Sequence, residues 1–347
     1  MKRISIYSFL VFAFLLFGMN VQTADCADAD LAKLIEGAKK EGSLILYHSM
    51  ERESLDAMEA KFKELYPFLK LEVTRKGTGG ITQMVEAERL AGVLKCDATS
   101  TGEASTFIRW AEEGLLMKYA ASGLKFIPDH LKDKSGYTTP SRLVATGIGF
   151  NTRTIKKEEA PKSWLDVLDP KWNRRIGIPD PTSSGPSCYW IKGMVDRFGW
   201  EYFEKLSKNN PLIIKQAPAL VSTLVTGEVN LAVPALEFNI LERKYRGEPV
   251  DLVIPTEGMV FKVSPVAILA KARNPNAAKL WVEFEASHEG QSVMSEFGRI
   301  PTRSDVKPKI PRPDNVYENV ITVDEIWLAA NKDELVDKFH KIMSQKR

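Results

Sequence analysis

The sequence predicts an α/β fold built on open, mainly parallel sheets. Short apolar runs of strand length alternate with amphipathic helical stretches along most of the chain. This alternation is typical of strand–helix–strand units, in which the helices cover the faces of a parallel sheet. The length of 347 residues corresponds to about two domains. We therefore expect two α/β domains, each with its own core.

Composition and charge restrict the function classes. Apolar residues make up 44% of the chain and charged residues 27%, which is an ordinary globular composition. The formal net charge is +3, and no block rich in lysine and arginine stands out. A nucleic-acid partner is therefore not expected.

The first 29 residues have the pattern of a secretory signal. Lys2 and Arg3 precede an apolar run, residues 9–19, that contains no polar side chain. The run is shorter than the ~20 residues that a membrane-spanning helix needs. A positive start, a short apolar core and small residues ending at Ala29 predict a cleaved signal peptide over 1–29 and a periplasmic protein.

The first predicted domain begins with a regular series of elements. Residues 51–66 carry a one-sided apolar stripe, which predicts an amphipathic helix. A glycine-rich turn, residues 76–80, separates a strand from the next helix. The other elements predicted here are a helix over 31–41, strands over 43–48, 69–74 and 96–98, and a helix over 81–94.

A second series of strands begins near residue 142. A turn at 179–187 precedes a helix that carries aromatic residues. Two helices, 277–287 and 289–297, follow the last predicted strand. The predicted strands are 142–150, 175–178, 212–215, 230–233, 251–254 and 264–271.

No catalytic or metal-binding signature is found in the sequence. Nucleophile-elbow, zinc-protease, P-loop and dinucleotide-binding motifs are all missing, and the four histidines are isolated. Cys96 and Cys188 lie far apart, and two buried free thiols are the favoured interpretation. His48 differs from the other histidines because it ends the first strand, where ligands gather in open α/β sheets.

Four loops rich in hydroxyls and glycines lie at the carboxyl ends of predicted strands or before helices. There, free backbone N–H groups can bind an anion. The candidate ligand-binding residues in these loops are His48, Ser49, Thr78, Gly79, Thr101, Thr182, Ser183 and Ser184. Serine and threonine at such positions can also be simple helix caps. Four such loops at one sheet edge indicate a binding cleft.

The order of several segments along the mature chain resembles a known family. These segments are LILYHS, CDATSTGEASTFIRWAEEGLLMKY, GFNTRTI, PKSWLDVLDPKWNRRIGIPDPTSSG, LVTGEVNLAVPA, NPNAAKLWVEFEASHEGQ and GRIPTRSDV. In this order they resemble the periplasmic solute-binding proteins of ABC importers, in the type 2 group that includes iron(III)-binding proteins.

The resemblance implies a two-lobed type 2 periplasmic binding fold with two crossover strands and hinge closure around the solute. The crossovers would fall near 145–151 and 263–267. The first lobe would comprise 30–145 and 264–347, and the second lobe 146–263. A monomer without cofactors, with a small-molecule solute and an ABC transporter permease as partners, is expected.

The resemblance does not extend to iron. Iron-binding members carry two adjacent tyrosines just after the strand that corresponds here to residues 230–234. This chain has Ala-Leu-Glu-Phe-Asn over 235–239 instead. Without tyrosinate donors, an iron(III) site would need atypical ligands, and no metal is expected.

The sequence is compatible with a binding protein and with an exported hydrolase. The leading hypothesis is a non-catalytic protein that binds a carboxylate, phosphate or phosphonate solute, with Glu237 either in the opposite wall of the cleft or as a solvated helix-start carboxylate. The alternative is an exported hydrolase that uses Ser49 and His48. Adjacent residues of one strand point to opposite faces, which disfavours that pair. A ligand-sensing subunit of a membrane receptor is a third, minor reading.

Overall fold

The computed structural model describes residues 30–215, 217–312 and 319–344. The predicted signal peptide, residues 1–29, lies outside the described residues. Among the described helices, none combines the length and apolar character that a membrane crossing requires.

Helices cover both faces of the sheet. In chain order they are α1 (30–41), α2 (Arg52–Leu65), α3 (Thr78–Leu90), α4 (Ala104–Glu112), α5 (Gly185–Phe198), α6 (Glu201–Ser207), α7 (Ala217–Thr226), α8 (Glu237–Tyr245), α9 (Pro275–Ala286), α10 (His288–Glu296) and α11 (Glu325–Ser344).

The strands are short, apart from two in the middle of the molecule. They are β1 (Ser43–His48), β2 (Lys70–Arg75), β3 (Ala98–Ser100), β4 (Leu116–Met117), β5 (Thr138–Asn151), β6 (Ile176–Pro179), β7 (Leu212–Ile214), β8 (Leu231–Leu236), β9 (Val250–Val253), β10 (Met259–Leu269), β11 (Ile300–Pro301) and β12 (Val320–Ile321).

The sheet has a parallel group of strands at each end. Its main order is β2-β1-β3-β10-β5-β8-β6-β7, with β4, β9, β11 and β12 paired at the sides. The long strands β5 and β10 are antiparallel partners in the middle. The end of β5 continues past β10 to pair with β8 and β9. The predicted α/β architecture of two lobes joined by two crossover strands is confirmed.

Each lobe has its own apolar core. In the first lobe, Phe62 of α2 packs edge-on against Trp281 of α9. In the second lobe, Trp190 of α5 packs edge-on against Phe203 of α6. Because these aromatic clusters are separate, each lobe can keep its packing while the connecting strands bend.

The packing of helix α11 does not follow the predicted lobe boundary. The expected first lobe includes everything after residue 264, and α9 and α10 do pack there. However, Leu335 and Phe339 of α11 are buried in the core of the second lobe. Helix α11 therefore packs against both lobes, because it also contacts α4 of the first lobe. Its assignment to one lobe, like the other lobe boundaries, stays a prediction.

Two local predictions also differ from the structure. The predicted glycine turn 76–80 is partly helical, since α3 begins at Thr78 and includes Gly79 in its first turn. Strand β5 begins at Thr138, before the predicted residue 142. Its Pro140 pairs with Pro265 of β10, next to a shift in the register of the two strands. Two prolines are a local signal against a strand, but here they meet at the irregularity.

Both cysteines of the described chain are buried and free, as favoured from the sequence. Burial raises the pKa of both thiols, that of Cys188 to about 12. Neither is therefore a reactive thiolate at neutral pH.

Candidate functional site

A cavity of about 480 Å³ lies between the two lobes. The first lobe lines it with the residues that follow β1 and β2, and with the start of α3. The second lobe lines it with the start of α5, the end of β7 and the start of α8. Strand β5 contributes Arg142 and Val144. The cavity therefore lies beyond the carboxyl ends of parallel strands from both lobes, where open α/β sheets bind ligands.

Three helix N-termini open onto this cavity. Thr78 begins α3, Ser184 precedes α5, and Phe238 lies in the first turn of α8. Neither α3 nor α5 has a side chain that caps its first N–H groups. Unpaired N–H groups and the positive end of the helix dipole both favour a negatively charged ligand.

Positive side chains outnumber negative ones in the cavity wall. Arg75, Lys76, Arg142 and Lys215 line it, whereas Glu51 is its single carboxylate among the described residues. Glu51 is already paired with Arg299, at 2.7 Å between Oε2 and Nη2. Burial raises the pKa of Glu51, but the nearby guanidinium groups of Arg299 and Arg142 prevail and hold it below its usual value. The wall therefore has an excess of positive charge.

Arg142 is the most buried of these cations, with 4% of its surface exposed. Burial lowers the pKa of its guanidinium, while the carboxylates of Glu51 and Glu285 act in the opposite direction. Its Nη1 has no hydrogen-bond partner among the described residues. The guanidinium thus keeps a buried, unused donor next to the cavity wall, and its positive charge favours an acidic ligand there.

The structure brings residues from all four predicted loops to this cavity. Ser49 follows β1, Thr78 begins α3, and Gly102 follows β3. Ser183 and Ser184 come from the turn before α5. The Thr78 hydroxyl accepts a hydrogen bond from the Gly102 N–H at 3.1 Å, so two of these loops are directly connected.

His48 is not in the cavity lining. Its ring is fully buried, and Nδ1 accepts a hydrogen bond from the Met50 N–H at 2.9 Å. Its Nε2 lies 3.2 Å from Oε1 of Glu285. Burial lowers the pKa of His48, although Glu285 acts against this. The imidazole therefore supports the Ser49–Met50 turn from behind.

Gly79, Thr101 and Thr182 also lie outside the lining. The Thr101 hydroxyl donates to the Glu103 carbonyl at 3.2 Å. The Thr182 hydroxyl donates to Asp180 Oδ1 at 2.7 Å and is exposed. Gly79 is the point at which α3 approaches the second lobe, because a Cβ atom built on it would lie 2.5 Å from the Thr182 carbonyl oxygen.

Glu237 faces away from the cavity. Its carboxylate is buried and forms a two-bond ion pair with Arg312, with 3.0 Å between Oε2 and Nη2. Burial raises the pKa of Glu237, and Arg312 opposes this. Its chain neighbours Phe238 and Asn239 line the cavity instead. Neither interpretation of Glu237 therefore holds. The residue does not line the cavity, and its burial excludes a solvated helix-start carboxylate.

The cationic residues of the wall are not among the candidates predicted from the sequence. Arg75 and Lys215 lie at the ends of strands, so the same carboxyl-end rule could have found them. Arg142 lies inside β5 and carries no local signal. Its position in the wall depends on the pairing of β5 with β10.

No group of three or more histidine, cysteine, aspartate or glutamate side chains in the described part of the chain could hold a metal ion. The cavity wall offers cationic groups, hydroxyls and backbone N–H groups instead. That donor set suits an anion.

The sequence model of the family described as bacterial extracellular solute-binding protein matches residues 98–326. The chain belongs to this family. Among its relatives, an uncharacterised protein of Haemophilus influenzae is 28% identical over 267 residues, which cover 74% of this chain and 76% of the relative. The spermidine/putrescine-binding periplasmic protein 1 of Haemophilus influenzae is 25% identical, over 61% of this chain and 62% of that protein's length.

Solved structures share the fold of this solute-binding protein. The periplasmic binding protein AfuA from Actinobacillus pleuropneumoniae, with fructose-6-phosphate bound, aligns with a TM-score of 0.78 at 23% identity. The alignment covers 88% of this chain and 99% of AfuA. The predicted type 2 periplasmic binding fold is confirmed. The spermidine/putrescine-binding protein and AfuA are periplasmic binding proteins, and the solute of each belongs to that relative alone.

Proposed function

We propose that this solute-binding protein captures a small anionic solute between its lobes in the periplasm and delivers it to the permease of an ABC importer. The solute carries a carboxylate, phosphate or phosphonate group. The observation that carries the proposal is the buried guanidinium of Arg142, whose Nη1 has no protein partner among the described residues. The protein acts as a monomer, without a cofactor, a metal or nucleic acid.

The rest of the wall supports an anion over a cation. Arg75, Lys76 and Lys215 add positive charge, and Glu51 is neutralised by Arg299. A polyamine, the solute of one relative, would find no free carboxylate in the described wall. The volume of about 480 Å³ is in the range of small-molecule sites.

The hydrolase alternative loses support from the surroundings of His48. A serine nucleophile needs a base within hydrogen-bond reach. Both ring nitrogens of His48 are engaged elsewhere, with the Met50 N–H and with Glu285. Ser49 therefore has no activating histidine, and we propose that the protein is not an enzyme.

Native mass spectrometry of protein exported with its own leader and purified without refolding tests the proposal. We expect a retained small molecule that negative-ion analysis identifies as an acid. Arg142→Met should lose it, because about a hundredfold weaker binding is expected when a charged hydrogen bond to the solute is removed. Lys215→Met, at the exposed rim, should weaken retention less.

Arg273→Met is the matched control, since Arg273 is exposed and does not line the cavity. It should retain the solute at the wild-type level. A melting curve of each variant without solute separates lost binding from lost folding. Retention of a polyamine or another cation by the wild-type protein would contradict the proposed solute class.

A further inference from the structure

Lys262 is a second buried cation near the cavity, and it is not in the lining. It lies in the middle of β10 with 5% of its surface exposed. Its Nζ has no hydrogen-bond partner among the described residues and lies 4.8 Å from the centre of the Tyr189 ring. An ammonium group buried without a carboxylate partner is costly, so its position calls for a physical reason.

Lys262 lies on the cavity side of the central strands. Its cross-strand partner in the β5–β10 ladder is Val144, which lines the cavity. Paired residues of a ladder share one face of the sheet, and residues two apart on a strand do as well. Lys262, Val144 and Arg142 therefore share one face.

The Lys262 ammonium lies close to Gly102, which belongs to one of the four loops that suit an anion. A Cβ atom built on Gly102 would lie 3.4 Å from Lys262 Nζ and 2.9 Å from the Thr78 hydroxyl oxygen. Gly102 and Thr78 both line the cavity. Since Gly102 has no side chain, the charge of Lys262 acts on this part of the cavity without a side chain in between.

The charged groups around Lys262 leave its ammonium unneutralised. Glu103, which precedes α4, is paired with Lys332 of α11 at 2.6 Å. Burial raises the pKa of Glu325 to about 7, against the attraction of Lys262, so this carboxyl is partly protonated near neutrality. Arg142 of β5 adds repulsion, and Cys188 of α5 keeps its proton.

Titration of Lys262 falls in the physiological range. Burial lowers its pKa to about 7, although Glu103 and Glu325 act in the opposite direction. A nearby anion stabilises the charged form of a lysine and so raises its pKa. The free protein then holds less than one proton on this amine near neutrality, and the complex holds more.

We propose that Lys262 is an affinity-determining residue, which attracts the anionic group of the solute from behind Gly102 and takes up a proton when that group binds. The inference rests on the proposed anionic solute. Lys262 acts on the solute through space and makes no contact with it. Solute affinity should therefore be highest at acidic pH, where the amine is charged, and should fall as the pH rises.

Sulfate is a suitable probe because it remains a dianion over the whole working range, so any pH dependence comes from the protein. Calorimetric titrations would be run at about pH 6 and about pH 9, in two buffers with different ionisation heats. We expect affinity to fall roughly tenfold between these pH values, the equivalent of a shift of about one unit in a pKa. The two buffers should reveal proton uptake near neutral pH.

Lys262→Met removes the charge and keeps an unbranched side chain. It should bind sulfate about tenfold more weakly than wild type at the acidic pH, with little further change at the alkaline pH and no proton uptake. Lys76→Met is the matched control, because it removes a lysine from the same wall while Lys262 stays. It should weaken binding and keep the pH dependence.

The results separate the two proposals. Sulfate binding that has the same affinity and pH dependence in wild type and Lys262→Met would overturn the role of Lys262 and leave the anion site intact. A wild-type protein that binds neither sulfate nor inorganic phosphate at either pH would overturn both. Melting curves without sulfate, in which Lys262→Met should be at least as stable as wild type, verify that the variant is folded.

Discussion

Two hydroxyls of one turn have different surroundings in this protein. Ser184 is buried, lines the cavity, and makes no side-chain capping bond although it precedes α5. Thr182 is exposed, and its hydroxyl and N–H both bond to Asp180 Oδ1. The capping explanation for hydroxyls before helices therefore does not account for Ser184, and a local turn contact accounts for Thr182.

Ser184→Ala should weaken binding of the retained solute roughly ten- to a hundredfold, the equivalent of ~1.5–3 kcal/mol for a hydrogen bond to a charged group. The melting temperature without solute should hardly change, because no capping bond is lost. Thr182→Ala is the matched control and should keep the affinity while losing about 0.5–1 kcal/mol of stability. Calorimetry and thermal melts measure both quantities. An unchanged dissociation constant in Ser184→Ala would remove this hydroxyl from the site.

Helices α3 and α5 approach each other closely at one edge of the cavity. Gly79 in the first turn of α3 faces the Thr182 carbonyl oxygen, and Gly185 in the first turn of α5 faces the Gly102 carbonyl oxygen. The two helices belong to different lobes. Glycine at these positions allows the backbones to meet, which a Cβ atom would prevent.

Gly79→Ala should therefore disfavour the arrangement seen here. The added Cβ would lie 2.5 Å from the Thr182 carbonyl oxygen, so one lobe would have to move. We expect solute affinity to fall about tenfold or more, while the stability of the free protein stays the same or rises slightly, since alanine is the better helix former.

Gly77→Ala provides the comparison for this variant. Its Cβ would meet the Ser183 carbonyl oxygen at 3.4 Å, an ordinary contact, and its backbone has a negative φ of −64°. Affinity in Gly77→Ala should change much less. Equal affinities for the two variants would show that the approach of α3 to the Thr182 turn does not control binding.

At the scale of the whole molecule, contacts between the lobes lie on opposite sides of the cavity. At one side, Glu53 of α2 pairs with Arg246, which follows α8, at 2.8 Å. At the other, the Ala104 N–H donates to the Tyr189 hydroxyl at 3.1 Å. Helix α11 contacts both lobes as well, through α4 on one side and through α5 and α6 on the other. Because each lobe has its own core, we propose that the lobes move as units about β5 and β10.

Hinge closure is best tested by small-angle scattering of the protein stripped of solute. Addition of the identified solute should reduce the radius of gyration, because the solute would join cationic groups from both lobes. Arg142→Met should show no such change at the same solute concentration. A wild-type profile that stays the same at saturation would count against the hinge.

Much of the architecture follows from local patterns. Strand β1 lies at the predicted residues 43–48, and α2 lies within the predicted 51–66. An apolar stripe or a short apolar run is contained in a few neighbouring residues, so each element can be recognised alone. The carboxyl-end rule in turn identified the four loops that supply Ser49, Thr78 and Ser184 to the cavity.

The sequence by itself therefore determined the fold class, the alternation of elements and the loops around the cavity. Only the tertiary structure decided that Arg142 faces the cavity, that Lys262 lies behind Gly102, and that His48 and Glu237 turn away. It also decided that α11 buries Leu335 and Phe339 in the core of the second lobe while it contacts α4 of the first lobe. The reason is physical: the direction of a side chain depends on which distant strand or helix covers each face, and that pairing joins residues too far apart in the chain for any local pattern to record.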